Sequence, residues 1–320
     1  MLNTVSTQNS SLTNEWDNHW RKTSDRAAHS ADAIHDRVIE RHWLSTLGAS
    51  TFNNKRVLDL ASGPGALLEV VRKSQPQTDY EMQYYSVDLS KTALQQIKSA
   101  YPTSDVVRAD CANLPFFANS FDLVISQFGI EYAGHDAFFE CSRVLKKSGK
   151  FIGILHYKYG ALHIECTNNL KAVDFLSDIE FFRYAQLVLY ANLTGKPDVH
   201  LKHLEMTFTN ILSLLSHAIS EQPKLMGGLL LRLYNDTCYM YENLTRFETI
   251  AIIQWLNNME EELNNYRARM SSMSESALSE SSLDKALIAF KAKGFNKIVR
   301  RKMSINQETE PFAWSVEISM

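Results

Sequence analysis

VLDLASGPGALLEVV (57–71) is the stretch on which the fold turns. A short apolar run enters a turn holding Gly63 and Gly65, and a helical pattern, ALLEVVRKS (66–74), follows. Glycines in such a turn allow tight backbone geometry and the close approach of a ligand. The helix start beyond them offers unpaired N–H groups to a polar or anionic group. A glycine turn can also do no more than join strand to helix, so the flanking sequence has to decide.

Outward from that turn, strand and helix patterns alternate. KRVLDLA (55–61), YYSVDLS (84–90), DVVRAD (105–110), FDLVISQFG (121–129) and KFIGILHYK (150–158) read as strands. KTALQQIKSA (91–100) reads as a helix with Ser90 as its N-cap, and a further helix is expected over 135–147, stopped near Gly149. Alternation of this kind implies a parallel sheet covered on both faces. Upstream, 1–12 is polar and expected to be flexible, and 13–49 carries helical spacing, with Trp16 and Trp20 four apart and Gly48 as a stop.

From 161 to about 270 the strand signal gives way to Leu, Met and aromatic residues at helical intervals. SSMSESALSESS (271–282) reads as a linker or exposed loop. A helix (282–295) and two strands (296–305 and 311–320), joined by a polar turn, then return. The expected fold is therefore α/β. A Rossmann-like, seven-stranded, mostly parallel sheet over 50–160 is completed by 282–320. N-terminal helices precede it, and a large helical insertion, 161–281, interrupts it before the last two strands.

Two acids sharpen the reading. Asp59 closes the first strand. Asp88 ends the second, 25 residues past Gly63, where a carboxylate can accept hydrogen bonds from both ribose hydroxyls of a nucleotide-type ligand. A dinucleotide fingerprint would place a third glycine where Leu68 stands, which argues against NAD.

On these residues the chain resembles the class I S-adenosylmethionine (SAM)-dependent methyltransferases, within the group that holds quinone-type and many small-molecule enzymes. The resemblance covers about 50–158 and 282–320. It aligns Asp59, Gly63 and Gly65 with the family's first motif, with Ala61 where the family has glycine. It aligns Asp88 and Leu89 with the second, and RADCANLPFFANSFDLVIS (108–126) with the third. It implies SAM as cofactor. Asp110 would bond the adenine amino group, the backbone of Cys111 would meet the ring, and Leu89 would pack on it. Gln127 and Phe128 would stand beside the methionine portion, and Trp20 and Arg21 would fold over the cofactor.

Methyl transfer from a sulfonium is an in-line displacement in which positioning does much of the work. A base is needed only where the acceptor must lose a proton. Glu131 and Tyr132 follow the fourth strand and could face the acceptor; His156, at the end of the fifth, could serve as general base. Structural readings stand beside each: a helix cap for Glu131, a satisfied core histidine for His156.

Composition narrows the acceptor. The net charge is −3, without the basic excess that phosphate contacts require. The insertion, counted over 160–280, holds nine Lys and Arg against fifteen Asp and Glu, a formal −6. A small, apolar or amphipathic acceptor is expected, and no nucleic acid. The insertion would act as a substrate lid or a homodimer interface. KIVRRK (297–302) is the one feature favouring a protein or nucleic-acid substrate, and a non-catalytic SAM-binding module is the remaining alternative. Four scattered cysteines without metal spacing, no basic-then-apolar leader and no apolar run of about 20 residues lead us to expect no metal, no membrane insertion and a cytoplasmic protein.

Overall fold

The computed structural model describes residues 16–21, 33–48, 55–74, 82–193, 199–222, 229–243, 246–307 and 309–320; the segment 1–12 lies outside them. Seven strands form one sheet: β1 (Arg56–Leu60), β2 (Gln83–Asp88), β3 (Asp105–Arg108), β4 (Phe121–Gln127), β5 (Leu145–His156), β6 (Lys297–Met303) and β7 (Ala313–Ser319). Their order is β3-β2-β1-β4-β5-β7-β6. β7 pairs antiparallel with both β5 and β6, and the other pairs are parallel. Order reverses between β1 and β4, and the carboxyl ends of strands at such a switch are where open α/β sheets bind ligands.

Alternate residues of each central strand enter opposite cores, the period-2 consequence of a pleated strand buried on both faces. Leu58, Leu60, Val124, Phe151 and Leu155 pack on one face. They meet Phe138 and Cys141 of Gly134–Val144 and Leu287 and Phe290 of Glu280–Ala292. Val57, Ile125, Ile152 and Ile154 pack on the other. There they meet Trp43 and Leu47 of Ala33–Gly48, Leu68 of Ala66–Ser74 and Ile97 of Lys91–Ala100. Ser90 caps the last of these helices, accepting from the Ala93 amide at 3.1 Å.

The chain divides into two compact units, Met1–Ile164 with Ser272–Met320, and Glu165–Ser271. The described elements of the second are all helices. It has its own apolar cluster, which includes Phe181, Phe208, Leu215, Leu233 and Leu256.

Three sequence expectations are corrected. The Ser-rich segment is not a loop: Thr249–Ser276 is one helix, and Met273 is buried on it. Leu278 then exchanges backbone bonds with the end of β5, His156 O (2.8 Å) and Lys158 N (3.1 Å). Ser279 caps the next helix, which begins at Glu280. Serine polarity was satisfied locally, by caps and turns, while the apolar residues between found the core. The helix expected to run to 147 ends at Val144, because Leu145 already pairs with Phe121. Gly149 belongs to β5 at a register shift, where a Cβ would lie 2.9 Å from the Lys146 carbonyl and 3.0 Å from that of Asp122. Finally, β4 stops at Gln127, since Phe128 turns to φ +50°.

Candidate functional site

The turn after β1 opens a pocket at the switch point. Ala61, Gly63 and Gly65 all have positive φ, of 51°, 52° and 94°. The Ser62 amide donates to the Val87 carbonyl at 3.0 Å, which ties the turn to the end of β2. Asp88 completes the tie. Its Oδ2 accepts from the Gly63 amide at 2.8 Å and its Oδ1 from the Ser90 amide at 2.7 Å. Each oxygen has made one bond and keeps further acceptor capacity. Burial raises its carboxyl to about 6, against the pull of those amides.

Asp59 lies deeper. Its Oδ2 accepts from the Tyr84 hydroxyl at 2.7 Å, and its Oδ1 is buried with no partner among the described residues. Burial pushes this carboxyl to about 8, with the Tyr84 bond opposing and the charge of Asp88 adding. A shift of that size on the wall of a cleft marks a candidate functional group. Asp110 stands after β3, its Oδ1 held by the Ala112 amide at 2.9 Å. Cys111 is buried beside it, and burial drives its thiol far above the ordinary range.

Helical residues 16–21 bring two indoles to the pocket. Asp17 Oδ1 accepts from the Ser90 hydroxyl and from the Thr92 amide (3.1 Å), at the start of Lys91–Ala100. Burial alone would raise the Asp17 carboxyl, but these donors hold it below its ordinary value. Gln96 Nε2 donates to the Trp20 carbonyl. Trp20 is buried against Gly63, where a Cβ would approach its ring to 3.2 Å. Trp16 stacks on Trp20 (5.9 Å between centroids) and meets Tyr132 edge-on at 5.7 Å.

At the end of β4, Gln127, Phe128 and Gly129 form a further wall of the pocket. A Cβ on Gly129 would lie 2.5 Å from that of Ala61, so the two turns touch. Behind that wall, Glu131 and His156 form a buried pair. Glu131 Oε1 accepts from the His156 amide at 2.9 Å and lies 2.7 Å from its Nδ1. The His156 ring packs on Phe128 at 4.5 Å and on Tyr132 at 5.7 Å.

Of the residues singled out from sequence, Trp20, Asp59, Ala61, Gly63, Asp88, Leu89, Asp110, Cys111, Gln127, Phe128 and Tyr132 line one pocket. Four do not. Gly65 faces inward, its Cβ position 3.0 Å from Ile97, so its part is turn geometry and helix packing. Arg21 is exposed and bonds Asn18 at 3.3 Å. Glu131 and His156 face each other rather than the pocket. Among the lining residues that sequence reasoning missed are Trp16, Ser90, Gly129 and Ala133. Trp16 was findable, one helical turn before Trp20; the others depend on which turns meet in space.

Residues 58–153 match the family described as "Methyltransferase domain". A demethylmenaquinone methyltransferase of Renibacterium salmoninarum is 34% identical over 100 residues, covering 31% of this chain and 40% of that protein. The ubiquinone/menaquinone biosynthesis C-methyltransferase UbiE of Bartonella bacilliformis is 30% identical over 122 residues, covering 36% of this chain and 46% of that protein. The chain thus spans less than half the length of these curated relatives. Among solved structures, geranyl diphosphate C-methyltransferase of Streptomyces coelicolor A3(2) aligns with a TM-score of 0.38 at 16% identity. That alignment covers 48% of this chain and 67% of that one, a likeness too weak to bear on function.

Proposed function

We propose that this chain, whose residues 58–153 match a methyltransferase domain, is a class I SAM-dependent methyltransferase that transfers a methyl group from SAM to a small apolar or amphipathic acceptor. One observation carries the reading: carboxylates from three adjacent strand ends, Asp59, Asp88 and Asp110, line one pocket, and the deepest has an oxygen without a partner among the described residues. Those residues fit the cofactor along its length. Asp110 and Cys111 would take the adenine edge, and Asp88 the ribose hydroxyls. Asp59 would accept from the ammonium of the methionine end, a charge that compensates the burial of its own.

Bound there, SAM supplies a methyl already activated on a sulfonium. The chain holds, orients and dries the site. Trp16, Trp20, Phe128 and Tyr132 line the pocket with aromatic surface. Of the three candidate catalytic residues, Tyr132 alone lines the pocket, which supports giving it the contact with the acceptor. His156, held by Glu131, packs its ring on Phe128 and Tyr132. We assign acceptor choice to the helical segment 161–281, and the curated relatives' names make a demethylated quinone the first acceptor to try.

A polyanionic acceptor is disfavoured by the basic strand itself. Arg300 pairs with Asp284, and Lys302 pairs with Glu280 at 2.7 Å while lying over the Tyr157 ring at 4.8 Å.

Two measurements test the reading. In calorimetric titration with S-adenosylhomocysteine (SAH), Asp88→Ala should bind about 100-fold more weakly, the cost of roughly 2–3 kcal/mol for losing a charged acceptor. Unchanged affinity would remove Asp88 from the site. Methyl transfer from labelled SAM to demethylmenaquinone should be seen with the wild type; SAM bound but never consumed with any acceptor would leave a binding module.

A further inference from the structure

The tip of β4 holds a contact that the proposed transfer does not use. Trp43, fully buried in Ala33–Gly48, donates its Nε1–H to Oε1 of Gln127 at 2.7 Å. An indole N–H can only donate, so the oxygen of the carboxamide must be the atom that faces it. The –NH2 is thereby turned away. No described residue accepts from it, and Gln127 is partly exposed on the pocket wall.

The backbone on the far side is fixed as well. Phe128 sits at φ +50°, a conformation that is uncommon for a bulky residue and persists only where its surroundings impose it. Its amide donates to the Ile154 carbonyl at 2.7 Å. Gln127 is therefore held at both ends.

Strand order says what it would meet. Asp110 and Asp88 end the β3 and β2 side of the pocket, which a nucleoside would occupy. The rest of such a ligand must lie over β1 and β4, where Asp59 offers an anionic acceptor and Gln127 a pair of donors. An amino-acid end group needs both, an acceptor for its ammonium and donors for its carboxylate.

We infer that Trp43 is a positioning residue: it orients Gln127 so that the amide N–H groups receive the carboxylate of the cofactor's methionine end. The inference rests on the SAM reading of the pocket. It makes the site discriminate the full cofactor from a nucleoside thioether that lacks the amino-acid portion.

The test compares SAH with 5′-methylthioadenosine, which shares the nucleoside and the sulfur but has no carboxylate, by titration calorimetry. Gln127→Glu keeps an oxygen for Trp43 and replaces the donor with a second carboxylate oxygen. Trp43→Phe removes the N–H and keeps most of the apolar bulk. SAH affinity should fall by about 30-fold in Gln127→Glu and by about fivefold in Trp43→Phe, with methylthioadenosine affinity held within about twofold. A Trp43→Phe protein that keeps the wild-type ratio of the two affinities, or that loses both ligands in equal measure, overturns the positioning role. If Trp43→Phe does not fold, Gln127→Glu decides alone: a wild-type ratio there overturns the inference. A wild-type protein that binds neither ligand fails differently, because it overturns the SAM reading first.

Discussion

Two acidic centres sit at strand ends of the same sheet, and only one of them lines the pocket. Asp59, on β1, and Glu131, just past β4, are both buried, and each has one oxygen without a described partner. Asp59 lines the pocket beside Asp88; Glu131 does not, and its other oxygen is committed to the amide and ring of His156. A buried carboxylate is costly unless it is paired. The orphaned oxygen of Asp59 therefore reads as waiting for a ligand, whereas the Glu131–His156 pair reads as structure that holds the pocket wall. Residue type does not separate these roles. What does is whether the residue stands on the pocket wall.

The largest effect should come from breaking the closed pair. Glu131→Ala leaves the His156 amide and ring nitrogen buried without their acceptor, at about 1–3 kcal/mol each. We expect about 3 kcal/mol off the unfolding free energy in a denaturant titration, with SAH affinity changed by no more than about twofold. A loss of SAH affinity as deep as that expected of Asp88→Ala would erase the distinction between the two centres.

The open centre should respond to pH instead. Burial holds Asp59 near 8 and Asp88 near 6. A ligand that donates to both favours their ionised forms, so SAH affinity should fall as pH drops through about 8 and fall more steeply below about 6. The limit is about tenfold per pH unit for each group. Stability of the unliganded protein runs the other way. A carboxyl whose folded pKa is raised contributes stability below its ordinary range and loses it as pH rises through the folded value. Asp59→Asn should thus flatten the upper limb of the affinity profile and, above pH 8, melt at a higher temperature than the wild type. A wild-type profile in that variant would place the titration elsewhere.

What the sequence made legible follows from the range of the interactions involved. The VLDL run, the glycine turn, Asp88 and the Ser90 cap are local patterns, and a mostly parallel sheet follows from alternation; the order of its strands does not. The Glu131–His156 pair depends on β4 and β5 being neighbours in one particular register, and it spans 25 residues of chain. Asp17 reaching Ser90, 73 residues away, is equally invisible in a linear reading. Gly149 misled for a related reason: it looks like a helix stop but serves a register shift inside a strand. The Ser-rich stretch misled because caps and helical surfaces use serine as readily as loops do.

The smallest effect lies where the two centres touch. Ala61 belongs to the turn that carries the open site, and Gly129 begins the turn that carries the closed pair. Ala61 occupies a left-handed conformation at φ +51°, which costs a non-glycine residue about 1 kcal/mol. Its methyl stands where a Cβ on Gly129 would approach to 2.5 Å, a separation real Cβ atoms do not show. Ala61→Gly relieves the backbone but loosens the unfolded chain, so its net effect should be within about 0.5 kcal/mol of zero. Gly129→Ala should destabilise by about 2 kcal/mol. In the Ala61→Gly background the methyl clash is gone, although the Ala61 carbonyl still stands 3.0 Å from the new Cβ. About 1 kcal/mol of that loss should therefore be recovered as coupling in a double-mutant cycle. Additive effects would mean that the turns adjust independently, and that the open and closed centres are not mechanically joined at this contact.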